Sequence, residues 1–192
     1  GSTALRALEP YADQFTIRAI SAHAQVSELA RIARTWRCMN LCISRNEDVS
    51  KLAELVVPGT RIYQGADGLT QMLHDVEADI VLNAISGAAG LAPSFAAIES
   101  GKDLALSNKE SVVMAGTLLF HHASKHHVKI IPVDSEHSTL HALIGAHGRA
   151  SIAKLVITAS GGPFRTMPVE RMEEITVDMA LAHPTWRMGP KI

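Results

Sequence analysis

The chain has 192 residues, of which 47% are hydrophobic and 19% are charged, which is enough to bury the core of one large domain or two small ones. Its formal net charge of −1 and its 4% content of aromatic residues argue against nucleic acid as a partner. No apolar run approaches the roughly 20 residues of a membrane span and no signal-peptide pattern opens the chain, which predicts a cytoplasmic protein without membrane contact.

Strand-like apolar runs alternate with segments of helical periodicity as far as residue 133. After an initial helical stretch, STALRALEPYA, the predicted strands are FTIRAIS, LCIS, RIYQ, DIVLNAI, DLALS and KIIPV. The helices between them are QVSELARIARTW, DVSKLAELV, LTQMLHDV, LAPSFAAIES and SVVMAGTLLFHHASKHH. Continuous apolar strands are typical of a parallel sheet that is covered on both faces. We therefore predict an α/β fold, a doubly wound, Rossmann-like parallel sheet over residues 1–133.

A different unit, the start of an α+β domain, is predicted over residues 134–192. A short helix, STLHALIGA, precedes a longer strand, SIAKLVITAS, a Gly-Gly-Pro turn and a polar helical stretch that ends in AHPTWRMGPKI. No helix cap or closing strand is evident at the end of the chain, and the first residues lie directly in a helical pattern. The pattern therefore predicts a part of a longer protein.

Cysteine and histidine raise three possible sites. Cys38 and Cys42 are four residues apart at the start of a predicted strand, too far apart for a disulfide, which predicts reduced core thiols. A zinc protease site at His137 and His141 is excluded because the glutamate of H-E-x-x-H is missing. A histidine-rich helix end is either a zinc site or a solvated end near the helix dipole, and its histidines are His121, His122, His126 and His127.

Two carboxylates, Asp134 and Glu136, follow the predicted strand KIIPV. If the backbone stays extended there, both side chains point the same way and need a cation to offset their repulsion. Oxygen ligands favour Mg²⁺ or Mn²⁺. The alternative is a helix N-cap at Asp134 or Ser135. Lys109 closes the preceding strand, so we expect it at the same sheet edge as Asp134.

The glycine-rich segments leave cofactor binding open. A dinucleotide fold normally carries G-x-G-x-x-G after its first strand, and this chain has no such motif. Gly1 is either the last glycine of that loop or a remnant of cloning. The segment SGAAG, residues 86–90, opens a helix and either binds an anion or a ring amide there or only forms a tight turn.

Two later segments are candidates for substrate contacts. In TASGGPFR, Ser160 and the amides of Gly161 and Gly162 either cradle an anion or form an ordinary mobile turn. In HPTWRMG, residues 183–189, a histidine and a tryptophan lie beside proline and glycine, as in a flap that covers a substrate or in a plain loop.

Four motifs, LSNKESVV, PVDSEHS, SGGPFR and HPTWRMGPKI, in this order and spacing, resemble 1-deoxy-D-xylulose 5-phosphate reductoisomerase over essentially the whole chain. The resemblance implies NADPH-dependent isomerisation and reduction of 1-deoxy-D-xylulose 5-phosphate to 2-C-methyl-D-erythritol 4-phosphate, in non-mevalonate isoprenoid biosynthesis. It further implies Mn²⁺ or Mg²⁺ as the metal, a phosphosugar as the substrate and a homodimer as the assembly.

The resemblance also assigns roles to individual residues. As metal ligands it implies Asp134 and Glu136. The catalytic residues it implies are Lys109, Glu136 and His183. For the substrate it implies Lys109, Ser135, Glu136, Ser160, His183 and Trp186, of which Ser160 binds the phosphate and the last two close over the substrate. The cofactor residues it implies are Gly1, His23, Ala24, Gln25, Ala84, Ile85, Ser86, Asn108, Glu110 and Gly189.

The chain departs from the family pattern at three places. The first strand and its glycine loop are missing except for Gly1, and Ala24 stands where the family usually carries a basic residue for the 2′-phosphate of NADPH. The chain also ends before the family's third carboxylate ligand and its further phosphate contacts. We therefore expect little or no turnover from the isolated chain. The alternatives are a non-catalytic α/β module with weak metal or phosphate binding and another nicotinamide-dependent dehydrogenase.

Overall fold

The computed structural model of the chain describes residues 1–157 and 161–182. Contacts divide the chain into two units, Gly1–Asp134 and Ser135–Ile192. Among the helices of the described residues, none is long and apolar enough to cross a bilayer.

The first unit alternates strands and helices, as predicted. Its strands are β1 (Ile20–Ala22), β2 (Asn40–Ile43), β3 (Arg61–Gln64), β4 (Ile80–Asn83), β5 (Asp103–Leu106) and β6 (Ile130–Pro132). Its α-helices are α1 (Ser2–Leu8), α2 (Val26–Trp36), α3 (Val49–Leu55), α4 (Gly65–Asp75), α5 (Leu91–Glu99) and α6 (Lys109–Lys125). Short 3-10 helices cover Glu9–Tyr11, Asn46–Asp48 and Gly87–Gly90. The predicted α/β class is confirmed.

All six strands are parallel, and they form two three-stranded sheets in the orders β1-β2-β3 and β4-β5-β6. One continuous sheet was predicted, whereas the described residues form two. The two sheets stay separate because no strand of the described residues pairs with the outer edges of β1 and β4. Within each sheet the carboxyl ends are level, since Ala22 pairs with Ile43 and Asn83 pairs with Leu106. The loops that follow the strands therefore meet at one edge of each sheet.

The core explains why helices cover both faces of the first sheet. Leu41 and Ile43 of β2 are fully buried in a cluster with residues of α2 and α3, such as Leu29 and Leu52. Cys42 lies between them in sequence and packs instead with Met72 of α4. Because side chains alternate along a strand, a continuous apolar run supplies both faces. The second sheet has its own cluster, which includes Ala97, Ile98, Leu104, Leu106 and Leu119.

Both cysteines are free and buried, so the prediction of reduced core thiols is confirmed. Burial raises the pKa of Cys38 and raises that of Cys42 to about 11. At pH 8 the reactive thiolate of Cys42 should therefore be roughly 100-fold scarcer than in an exposed thiol. We expect iodoacetamide to label the native chain slowly and the urea-unfolded chain fast, as measured by intact mass. Equal labelling rates in the two states would contradict this burial.

The second unit contains α7 (Ser135–His147) and α8 (Val177–Leu181), with short 3-10 helices at Arg149–Ser151 and Val169–Glu174. The helix predicted over STLHALIGA is confirmed within α7. The strand predicted over SIAKLVITAS is wrong for residues 151–157, which form no strand. Val156 and Ile157 are 65% and 66% exposed, and no strand of the described ranges pairs with them in spite of their β-type side chains.

The histidine-rich end of α6 does not gather a metal site. His122 Nε2 donates a hydrogen bond of 3.1 Å to Glu99 Oε1, and the ring packs edge-on against Phe95 of α5. The rings of His122 and His126 are 4.7 Å apart. Within residues 1–157 and 161–182 no group of three or more His, Cys, Asp or Glu side chains is placed to hold a metal ion. The contacts fit helix packing rather than zinc binding.

Candidate functional site

The two predicted metal ligands lie where β6 gives way to α7. Asp134 directly precedes the helix, and Ser135 and Glu136 are its first two residues. The backbone is therefore helical at Glu136. The extended geometry considered for this pair is wrong, because α7 already begins at Ser135. Ser135 Oγ donates a hydrogen bond of 3.0 Å to Glu136 Oε2. An acidic side chain in the first turn is favourable for the helix dipole.

The chemistry of this segment suits a hard divalent cation. Asp134 and Glu136 are both half-buried, and each offers carboxylate oxygens, which Mg²⁺ and Mn²⁺ prefer. Mg²⁺ commonly binds through one or two carboxylates and keeps several waters, so the two carboxylates of this segment are compatible with it. The residues present therefore fit the metal that the resemblance implies.

A buried asparagine at the end of β4 holds the loop that follows. Asn83 is 2% exposed, and its Nδ2 donates to the carbonyl oxygen of Gly90 at 2.7 Å and to Ser94 Oγ at 2.8 Å. Its Oδ1 accepts a hydrogen bond from the amide of Ile85 at 3.1 Å. One side chain thus fixes both the start and the end of the loop 84–90.

A second buried asparagine, Asn108, holds the same loop from the end of β5. It is 1% exposed, and its Nδ2 donates to the carbonyl oxygens of Ile85 at 2.5 Å and Gly87 at 2.9 Å. Its Oδ1 caps α6, because it accepts from the amide of Ser111 at 2.8 Å and also from Ser111 Oγ. Both donor hydrogens of Asn108 are used within the protein.

We call Asn83, Asn108 and the loop 84–90 the asparagine clasp. Its tight contacts explain the glycines of SGAAG, since a Cβ on Gly90 would lie 2.8 Å from Asn108 Cγ. Gly87 has a φ of 72°, in the left-handed region that favours glycine. The clasp leaves Ala84 and Ser86 exposed at the carboxyl end of β4.

The ends of β4, β5 and β6 lie at one sheet edge, as expected for Lys109 and Asp134. The amide of Ser107 donates to the Asn83 carbonyl at 2.9 Å, and the amide of Val133 donates to the Leu106 carbonyl at 3.0 Å. Lys109, the first residue of α6, is exposed just beyond this edge, and Glu110 beside it is half-buried.

Ala24 and Gln25, two of the predicted cofactor residues after β1, line a cavity of about 590 Å³. Residues 24–28 form one side of this cavity, and Arg45, Asp48 and Lys51 form the other. Arg45 Nε donates to Asp48, whose carboxylate is 1% exposed, and Lys51 Nζ is 3.4 Å from the same carboxylate. The guanidinium of Arg45 lowers the pKa of Asp48.

The remaining predicted site residues are Gly1, which the structure describes, and four residues that it does not describe. Gly1 is exposed at the N-cap position of α1. Ser160, His183, Trp186 and Gly189 lie outside the described residues. Sequence reasoning missed Asn83 and Arg45. Asn83 could have been found as a polar residue in the apolar strand DIVLNAI. The position of Arg45 beside the loop after β1 becomes evident only from the pairing of β1 with β2.

Comparison with known proteins identifies the family. The sequence profile described as 1-deoxy-D-xylulose 5-phosphate reductoisomerase matches residues 1–116, and that of the C-terminal domain of the same enzyme matches residues 130–192. The chain belongs to the 1-deoxy-D-xylulose 5-phosphate reductoisomerase family. The resemblance inferred from the four motifs is confirmed.

Relatives that carry the reductoisomerase name match the whole chain. The protein of Leptospira interrogans is 38% identical over 197 residues, and that of Thermomicrobium roseum is 42% identical over 193 residues. Both alignments cover 100% of this chain and 49% of the relative. The chain therefore spans about half the length of the curated relatives it matches.

Solved reductoisomerase structures share the fold. The Zymomonas mobilis enzyme in complex with NADPH superposes with a TM-score of 0.85 at 35% identity, over 94% of this chain and 48% of that one. A reductoisomerase in complex with NADPH, fosmidomycin and magnesium superposes with a TM-score of 0.83 at 34% identity, over 99% of this chain and 50% of that one.

Proposed function

We propose that this chain is part of an enzyme that isomerises 1-deoxy-D-xylulose 5-phosphate and reduces it with NADPH to 2-C-methyl-D-erythritol 4-phosphate, in non-mevalonate isoprenoid biosynthesis. The observation that carries the proposal is the match of both family profiles along the chain. A different nicotinamide-dependent dehydrogenase is not favoured, because the profile of the reductoisomerase C-terminal domain matches residues 130–192, the range in which Asp134 and Glu136 lie.

We propose that the cofactor lies across the carboxyl ends of the strands, as dinucleotides do in doubly wound folds. The asparagine clasp supports this role, because it presents Ala84, Ile85 and Ser86 on a loop that both asparagines hold rigid. Asn108 then acts as a positioning residue, since its side chain is fully hydrogen-bonded within the protein. The pyrophosphate cradle would come from outside these 192 residues, because no G-x-G-x-x-G occurs within them.

We propose that Asp134 and Glu136 hold Mg²⁺ or Mn²⁺. When bound, this cation supplies Lewis acidity toward the oxygens of the substrate. Lys109 lies exposed beyond the same sheet edge as Asp134, where its ammonium group can bind and orient an anionic substrate. The Ser135 hydroxyl holds the Glu136 carboxylate by a hydrogen bond. Ser160, His183, Trp186 and Gly189 keep their roles as proposals from the resemblance.

We also propose that the full-length protein is a homodimer in the cytoplasm. The support is the family resemblance that the four sequence motifs carry. Analytical ultracentrifugation of the full-length protein tests the assembly, and a single species of monomer mass would overturn it.

The first test of the function is oxidation of NADPH, followed by absorbance. The full-length protein is assayed with 1-deoxy-D-xylulose 5-phosphate and Mn²⁺ beside the 192-residue chain. We expect turnover by the full-length protein and none by the chain alone. Absence of turnover by a folded full-length protein with either Mn²⁺ or Mg²⁺ would overturn the proposed function and favour a binding module.

A further inference from the structure

The loop after β1 lacks the residue that normally distinguishes the two nicotinamide cofactors. In doubly wound folds this discrimination lies near the ribose, where an acidic residue binds the 2′-hydroxyl of NAD and an arginine accommodates the 2′-phosphate of NADP. The loop contains only His23, Ala24 and Gln25, with neither an acidic residue nor a permanent positive charge. If this chain prefers one cofactor, a residue from another element must contact the 2′ position of the ribose.

The end of the neighbouring strand supplies such a residue. β1 and β2 are paired with Ala22 opposite Ile43, so the segments that follow them run side by side. The ring nitrogen Nδ1 of His23 lies 2.9 Å from Ser44 Oγ, and the amide of Arg45 donates to the His23 carbonyl at 2.9 Å. These bonds hold Arg45 against the loop after β1.

The guanidinium of Arg45 is anchored on one side and open on the other. Its Nε donates to the buried carboxylate of Asp48 and is 3.2 Å from Glu47 Oε1. Its two terminal nitrogens make no hydrogen bond or ion pair within residues 1–157 and 161–182. A planar group that is fixed in this way is preorganised for bidentate contact with a phosphate.

The charges around the cavity favour an anion at Arg45. Lys51 is a second cation on this wall, and Asp48 offsets only one of the two positive charges. Glu28 also lines the cavity, but two hydrogen bonds of 2.7 Å tie its carboxylate to Arg31. Glu47 is 74% exposed, where water screens it.

We propose that Arg45, supported by Lys51, binds the 2′-phosphate of the cofactor and makes this enzyme select NADPH over NADH. The inference rests on the proposed function and deepens it, because it assigns cofactor choice to a side chain at the end of β2. Ala24 is compatible with this arrangement, because its methyl group is small and places no charge beside the cavity.

The test is calorimetric titration of NADPH and NADH into the full-length protein without substrate. Loss of a hydrogen-bonded charge costs about 1.5–3 kcal/mol, so Arg45→Ala should raise the Kd for NADPH roughly 10- to 100-fold. The Kd for NADH should stay within about twofold, because NADH has no 2′-phosphate. Arg34→Ala removes the same charge from the far end of α2 and is the matched control, with no expected change in either Kd.

Two further variants keep the test valid if Arg45→Ala destabilises Asp48. Arg45→Lys keeps a cation beside Asp48 and should lose part of the NADPH affinity. Adding Ala24→Arg to Arg45→Ala should recover NADPH affinity from the adjacent loop. If all Arg45 variants keep the wild-type preference for NADPH, the proposed role of Arg45 is overturned and the proposed function stands. A folded wild-type protein that binds neither nucleotide would overturn the proposed function together with this inference.

Discussion

Replacing Asp134 with asparagine in the full-length enzyme is expected to lower kcat/KM for 1-deoxy-D-xylulose 5-phosphate by about 100-fold or more. The change removes one negative charge from the proposed cation site while it preserves the size of the side chain. A Lewis-acid cation supplies several kcal/mol of charge stabilisation, and each 1.4 kcal/mol corresponds to a factor of ten. Glu136→Gln, at the second residue of α7, should act in the same direction.

The measurement is turnover as a function of Mn²⁺ concentration, combined with electron paramagnetic resonance of free Mn²⁺. We expect both variants to need more Mn²⁺ for half-maximal turnover and to leave more of the ion free. Asp67→Asn, an exposed residue in the first turn of α4, is the matched control for the loss of one carboxylate. Full activity of Asp134→Asn with wild-type metal dependence would refute the assignment of this pair.

Replacing Asn108 with alanine is expected to lower the free energy of unfolding of this chain by about 3–5 kcal/mol. The alanine leaves the part-buried carbonyl oxygens of Ile85 and Gly87 without their donor, which costs about 1–2 kcal/mol each, in the lower part of the range for unsatisfied buried groups. It also removes the cap of α6 at Ser111, which is worth roughly 1 kcal/mol. Urea unfolding followed by circular dichroism measures the change.

A second variant separates the two roles of Asn108. Asn108→Asp keeps an oxygen that can cap α6, but it loses both donors and places a negative charge against two carbonyl oxygens. We expect it to remain strongly destabilised, whereas a residue that only capped the helix would tolerate aspartate. Asn46→Ala is the control, because the Asn46 side chain is exposed and makes no hydrogen bond among the described residues, so its effect should stay within about 0.5 kcal/mol. Near-wild-type stability of Asn108→Asp would show that Asn108 stabilises the chain only by capping α6, and not by its hydrogen bonds to the loop 84–90.

The elements of the first unit were predictable because their signals are local. β3 has the predicted bounds, RIYQ, and α2 begins one residue inside the predicted segment. In α2 the buried residues Val26, Leu29, Ala30 and Ala33 follow the spacing of a single helix face. Apolar runs of this kind bury themselves in any packing that covers both sheet faces, so the class follows from the pattern.

Prediction failed where the structure depends on a partner that sequence does not show. The run SIAKLVITAS has the composition of a strand, yet residues 152–157 have no strand to pair with among the described residues. For Asp134 and Glu136 the sequence left open an extended backbone or a helix N-cap, and the structure starts α7 at Ser135, so Glu136 does not have the extended geometry. Strand formation and helix initiation are cooperative, and single residues signal them weakly.

By itself the sequence determined the α/β alternation, the reduced core thiols, the family and the place of Asp134 directly after β6, because each of these depends on neighbours along the chain. The tertiary structure alone decided that Asn83 and Asn108 hold one loop between them and that Arg45 lies beside His23. These contacts join residues about 20 positions apart. Parallel pairing of strands brings such residues together, and the register of that pairing is set by packing across the sheets.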